Sequence, residues 1–296
     1  MKQGCRTSLL ILLLVGLVIT MGMMAILIFV SSEREDLFTF RARESVAIVE
    51  LEGPIFDIEE PLEQVKDYVD NDSVKALVVR LNSPGGAVAP SQEMYEELKR
   101  AKDEGKVVIV SMGALAASGA YYVACAADEI YANPGTITGS IGVIAEFPNV
   151  EGLMDKIGIK FETIKTGKYK DTGSMFRPME PEEQELLQQM LMDVYDQFVE
   201  AVAASRRMPI DEVKRYADGR VFSGRQALEY GFVDALGTQS DAVRRAADLA
   251  GIEGEPRVIK KMKRPFPFGG FAETFLRRYL LTTQPTPSPV LYMLRP

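Results

Sequence analysis

Through the middle of the chain, short runs of β-branched and aliphatic residues alternate with stretches whose apolar positions recur every three or four residues. SVAIVEL (45–51), KALVVRL (75–81), KVVIVSM (106–112) and DEIYA (128–132) are of the first kind and predict strands. PLEQVKDYVD (61–70) and SQEMYEELKRAKDEG (91–105) are of the second and predict helices, and a short helix is expected over 118–126. Such alternation implies parallel β-α-β units, that is, an α/β fold in which helices cover a sheet. Further along, the pattern predicts a helix near 150–157, a strand over KFETI (160–164) and a loop from 166 to 178. A long helix over 181–206 opens with Pro181 and acids behind it, as a helix N-terminus should. Smaller helices are expected over 209–217, 223–230 and 239–250.

The two ends of the chain follow different rules. Ser8 to Val30 carries no charge, and at about 1.5 Å per residue a helix of that length crosses a hydrocarbon core of roughly 30 Å. A retained N-terminal transmembrane helix is expected, because a cleaved signal peptide has a shorter apolar region and an A-x-A-like site. Lys2 and Arg6 precede the span and Glu33, Glu35 and Asp36 follow it, so the N-terminus is expected in the cytoplasm and the body outside the cell membrane. The expected organisation is an anchor (1–31), a juxtamembrane linker (32–44), one α/β domain (45–250) and a basic, Pro-rich tail (251–296). Within the tail, FAETFLRRYLL (271–281) reads as a short amphipathic helix lying on the membrane or on the domain, with packing the favoured role. The apolar end SPVLYMLRP is expected to dock in a groove of an oligomeric ring or to be trimmed by the protein itself.

Composition narrows the chemistry. The 296 residues carry a net charge of -8, with no dense basic stripe, which argues against a nucleic-acid partner. There is no histidine, and Cys5 and Cys125 lie on opposite sides of the apolar span, so zinc, haem, iron–sulfur and disulfide frameworks are set aside. Neither EF-hand nor P-loop spacing occurs, and no metal or other cofactor is expected.

Two turns follow predicted strands, where α/β sheets gather their ligands. In NSPGG (82–86), Pro84 fixes one dihedral while Gly85 and Gly86 admit positive φ and free backbone N–H groups to face an oxyanion. In GALAASGAYY (113–122), Ser118 is the one polar aliphatic side chain in an apolar run, at the entry to a helix, with Gly119 beside it. Taken alone, such a serine is more often a helix cap than a nucleophile. Without histidine its base would be Asp, Glu or Lys, and Ser-Lys pairs are a known variant of the triad. A lysine, ordinarily near 10.4, acts as a base only where burial or positive charge lowers that value. Lys165, Lys168 and Lys170 in the loop ETIKTGKYKDTGSMFRP are the candidates, and the residues by themselves do not choose among them. Asp171 and Arg177, on either side, read as a surface ion pair or loop anchor.

In order, NSPGG, GALAASGAYYVACAAD, TITGSIGVI, KTGKYKDTGSMFRPM and ADGRVFSGRQALEYGFVDALG resemble the signal peptide peptidase A family of membrane-anchored serine proteases, in its short form, over roughly residues 45–240. The resemblance implies a ClpP/crotonase-like fold. It implies Ser118 as nucleophile, Lys170 as general base and Ser140 as the residue that orients the lysine, with the N–H groups of Gly85 and Gly119 forming the oxyanion hole. It further implies ring-shaped homo-oligomers in which neighbouring chains share a site, and cleaved signal peptides and similar apolar peptides as substrates at the outer membrane face. The alternatives are a protease of the same fold acting on one membrane protein, a crotonase-type acyl-CoA enzyme, and a non-catalytic membrane scaffold.

Overall fold

The computed structural model describes residues 20–24, 44–261 and 290–293. It divides into two units, Met1–Glu44 and Ser45–Pro296. Of the first unit, residues 20–24 are helical; the rest of the predicted span 8–30, and the predicted helix 271–281, lie outside the described residues. No helix among the described residues is long and apolar enough to cross a membrane.

The second unit is the expected α/β domain. Its strands and helices are β1 (Ser45–Glu52), α1 (Glu59–Val69), β2 (Val74–Ser83), β3 (Gly85–Ala87), α2 (Val88–Asp103), β4 (Val107–Ala117), α3 (Gly119–Ala124), β5 (Glu129–Ala132), β6 (Ile137–Gly139) and β7 (Ile144–Ala145). There follow α4 (Glu151–Ile157), α5 (Pro181–Arg206), α6 (Ile210–Lys214), β8 (Val221–Ser223), α7 (Gly224–Glu229), β9 (Ala235–Leu236), α8 (Gln239–Leu249), β10 (Arg257–Lys260) and β11 (Val290–Met293).

The main sheet runs β10-β1-β2-β4-β5-β9, all parallel, and β4 also pairs with β6, which meets β8 antiparallel. Its central strands read as unbroken apolar runs because both faces are covered. Val49, Leu77, Val79 and Val110 face one core with α1, α2, α3 and the C-terminal half of α5. Val46, Ala76, Val78 and Ile109 face the other, beneath Ala242, Val243 and Ala246 of α8. β10 comes from a segment that the composition assigns to the tail, and it extends the sheet edge beside β1.

Two expectations need correction. KFETI (160–164) is not a strand: among the described residues it has no pairing partner, and Phe161 and Ile164 are exposed. Alternating apolar residues make a strand only where another strand can take their backbone groups. The strand expected to end at Met112 continues as β4 to Ala117, because its second half pairs with β6 (Ala116 opposite Thr138, Ala117 opposite Gly139). Gly113 makes this possible; a Cβ there would press on Asn82 and the Leu81 carbonyl at 3.0–3.1 Å.

Candidate active site

β4 delivers Ser118 to the carboxyl edge of the sheet. The residue is the link between β4 and α3, buried at 1% exposure, with φ 54° and ψ -121°. A side-chain-bearing residue at positive φ is strained, and such strain is held only where surrounding structure enforces it. The enforcing contacts are visible: the Ser118 N–H donates to the Gly139 carbonyl (2.8 Å) and the Tyr122 N–H donates to the Ser118 carbonyl (2.9 Å). Although Ser118 stands at the N-cap of α3, its side chain makes no capping hydrogen bond. The simple cap reading therefore fails, and the hydroxyl is not consumed by the helix.

Ser140 is placed by the same pairing. Since Ala117 lies opposite Gly139, the two serines follow adjacent strands at the same level. Ser140 also has positive φ (51°), is 8% exposed, and its N–H donates to the Arg220 carbonyl (2.8 Å). Only three non-glycine residues among those described have positive φ, and these serines are two of them. Gly139, at φ 82°, cannot carry a side chain, because a Cβ would lie 2.5 Å from the Phe222 ring.

The NSPGG turn reaches the same edge, for Ser83 on β2 pairs with Ala116 on β4. Gly85 has φ 97°. Gly86 is required for a different reason, since a Cβ there would lie 2.2 Å from the Ile55 carbonyl oxygen. The Gly85 N–H donates to the buried Ser83 hydroxyl (3.1 Å), so this proposed oxyanion donor has an internal partner that the sequence reading missed. Ser83 could have been noticed only from its position two residues before Gly85. Gly119 is the first residue of α3, where a helix offers an N–H with no acceptor in its own helix.

Among the described residues, Lys170 sits on an exposed loop while Ser118 and Ser140 are buried, and no side-chain hydrogen bond joins the lysine to either serine. The three candidate lysines nonetheless differ. Lys165 is paired with Asp171 (2.5 Å) and Lys168 with Glu182 (2.7 Å), whereas Lys170 has no ion pair among the described residues. Arg177 bonds Asp171 and Glu183 together, which agrees with the loop-anchor reading. Hydrogen bonds from Arg177, then Lys165, hold the Asp171 carboxyl well below the usual carboxylate range. Arg177, together with the Glu180 N–H and Thr172, brings Glu183 down to about 2.

A second, three-stranded sheet crosses this edge. β11, from the C-terminal segment, lies antiparallel between β3 and β7, with Met293 opposite Gly85, Tyr292 opposite Gly86, and Leu291 opposite both Ala87 and Ile144. Of the segment SPVLYMLRP, residues 290–293 lie beside the glycine turn; the rest lies outside the described residues. Among the described residues, no three or more Cys, Asp or Glu side chains are grouped so as to hold a metal ion.

Residues 100–253 match the profile of peptidase family S49. The chain is 44% identical over 231 residues to "Putative protease slr0021" of Synechocystis, covering 78% of this chain and 83% of that protein. It is 37% identical over 238 residues to "Serine protease SPPA, chloroplastic" of Arabidopsis thaliana, covering 75% of this chain and 35% of the relative. With "Putative signal peptide peptidase SppA" of Enterococcus faecium it shares 38% identity over 182 residues, or 62% of this chain and 53% of the relative.

Proposed function

The chain belongs to peptidase family S49 and is a serine-type peptidase of the SppA kind, and from that premise we propose that it cleaves apolar peptides with a Ser118-Lys170 dyad completed between neighbouring chains. The observation that carries the reading is the pair of strained serines at one sheet edge, with the glycine turn beside them. Neutral Lys170 takes the proton of the Ser118 hydroxyl as its oxygen attacks the scissile carbonyl; Ser140 orients the amine. The carbonyl oxygen gains negative charge and is held by the N–H groups of Gly119 and Gly85. A developing oxyanion is a stronger acceptor than the neutral Ser83 hydroxyl, so the Gly85 N–H exchanges one for the other. The proton then passes from Lys170 to the leaving amine, and water, activated by the same lysine, hydrolyses the acyl-enzyme.

Two features support completion of the site between chains. Ser118 is buried while Lys170 is exposed, and a lysine base needs to be desolvated. The arm that carries Lys170 also displays Ile157, Ile159, Phe161 and Ile164 to solvent, an apolar surface suited to a subunit contact in a ring. The slot between β3 and β7, filled by the chain's own β11, suits a substrate bound as an extended strand. Signal-peptide remnants fit an apolar slot of this kind; the Enterococcus relative's name and the expected anchor, which would keep the site at the outer membrane face, favour them.

The test is hydrolysis of a fluorogenic apolar peptide by the full-length protein in detergent. Ser118→Ala and Lys170→Ala should each lower kcat by about 10⁴-fold or more. Co-expressed in equal amounts, the two inactive variants should recover roughly a quarter of wild-type activity, because random neighbours then restore that share of mixed sites. Absence of recovery in assembled mixtures would place both groups in one chain.

A further inference from the structure

The loop that carries Lys170 is built around one guanidinium. Arg177 donates through Nε and Nη2 to the two carboxylate oxygens of Asp171 (3.0 and 2.9 Å), and through Nη1 and Nη2 to those of Glu183 (2.7 and 2.6 Å). It also reaches the Asp171 carbonyl (3.2 Å) and the Pro178 carbonyl (3.0 Å). Paired, planar contacts of this kind fix geometry as well as charge. The Glu183 side chain, 3% exposed, further accepts from the Thr172 hydroxyl (3.1 Å) and the Glu180 N–H (3.0 Å).

Glu183 stands in the first turn of α5, whose far half is locked into the core by Phe198, Val199 and Val202. A rigid path therefore runs from the core along α5 to Glu183, through Arg177, to Asp171 and Thr172, the two residues that follow Lys170. On the other side, the Lys170 N–H bonds the Gly167 carbonyl (3.3 Å) and Lys165 holds the Lys168 carbonyl (2.9 Å) and Asp171. The backbone around Lys170 is held while its own side chain is left without an ion pair among the described residues.

The same contacts arrange the charges. The anions nearest in sequence to Lys170 are Asp171, Glu162, Glu180, Glu182 and Glu183. Asp171 is engaged by Arg177 and Lys165, Glu183 by Arg177, and Glu182 by Lys168. A free carboxylate beside a lysine favours its ammonium form, and an ammonium cannot take a proton from serine.

We propose that Arg177 is a positioning residue for catalysis: by gripping Asp171 and Glu183 it fixes where the Lys170 amine is presented and keeps both carboxylates from pairing with that amine. The inference rests on the reading of Lys170 as the base, and the experiment separates the two. Arg177→Ala, Arg177→Lys, Glu183→Gln and Lys170→Ala are compared in the full-length protein, with assembly state measured, using the same apolar peptide across a pH series. A misplacement of about 1 Å can cost on the order of 10²-fold, so Arg177→Ala should lose roughly 10- to 100-fold in kcat with KM within about twofold. Its acid limb of kcat should move to higher pH, and millimolar guanidinium should restore part of the rate. Arg177→Lys, able to pair with one carboxylate but not to bridge both, should lie between. Should Arg177→Ala fail to fold, Arg177→Lys and Glu183→Gln carry the same readouts.

A folded, assembled Arg177→Ala with wild-type kcat, or one losing kcat and KM together with an unmoved pH limb, overturns the proposal. Lys170→Ala that remains active removes the base reading, and the inference with it. An inactive Lys170→Ala beside unaffected Arg177 and Glu183 variants overturns the positioning role alone.

Discussion

Ser118 shows how much a single residue can carry and how little of it is written locally. Its oddity is plain in the sequence, one hydroxyl in GALAASGAYY, but only the structure sets the cap reading aside: the side chain makes no capping hydrogen bond, and the backbone is held by the Gly139 carbonyl across the sheet. At φ 54° and ψ -121° a serine stores strain that glycine does not. Ser118→Gly should therefore stabilise the fold by about 1 kcal/mol while abolishing peptidase activity, read as a rise in the urea midpoint with unchanged m. A lower midpoint would mean that the angle is not a burden on the native state. Lys170 is the converse case: nothing local distinguished it from Lys165 and Lys168, and only the ion pairs of those two neighbours set it apart.

Among the elements, those with a buried apolar face were legible and those completed by distant partners were not. β1, β2, α1, α2 and α5 lie close to their predicted spans, because period and capping residues are properties of the segment itself. β3, β6, β8 and β9, two or three residues each, carry no period to detect and exist through pairing. KFETI had the period and no partner. β11 has the most direct consequence for function, since a strand between β3 and β7 competes with any peptide that binds there. Removing residues 290–296 should lower KM for an apolar peptide severalfold and leave kcat within about twofold, the expectation for loss of a tethered competitor. An unchanged KM in an intact, untrimmed chain would show that β11 does not occupy the substrate slot.

For the molecule as a whole, the arm from α4 to α5 stands out because its apolar side chains face solvent. Ile164 is fully exposed, so Ile164→Glu removes no contact within the chain and should change its stability by less than about 0.5 kcal/mol. If the arm is a subunit contact, the same change should shift the sedimentation of the assembly toward monomer and abolish peptide hydrolysis together. Activity from a monomer would argue for a site complete in one chain. The sequence by itself determined the α/β class, the order of the longer strands and helices, the NSPGG turn and the candidate serine, since these depend on period, turn chemistry and residue type along a few neighbouring positions. Tertiary structure decided the strained serine pair and the place of β11, which join segments far apart in the chain and depend on which strands lie side by side. It also decided the Ser83 bond to Gly85 and the grip of Arg177, which are near in sequence but depend on the backbone conformation of a turn and a loop that carry no period to read.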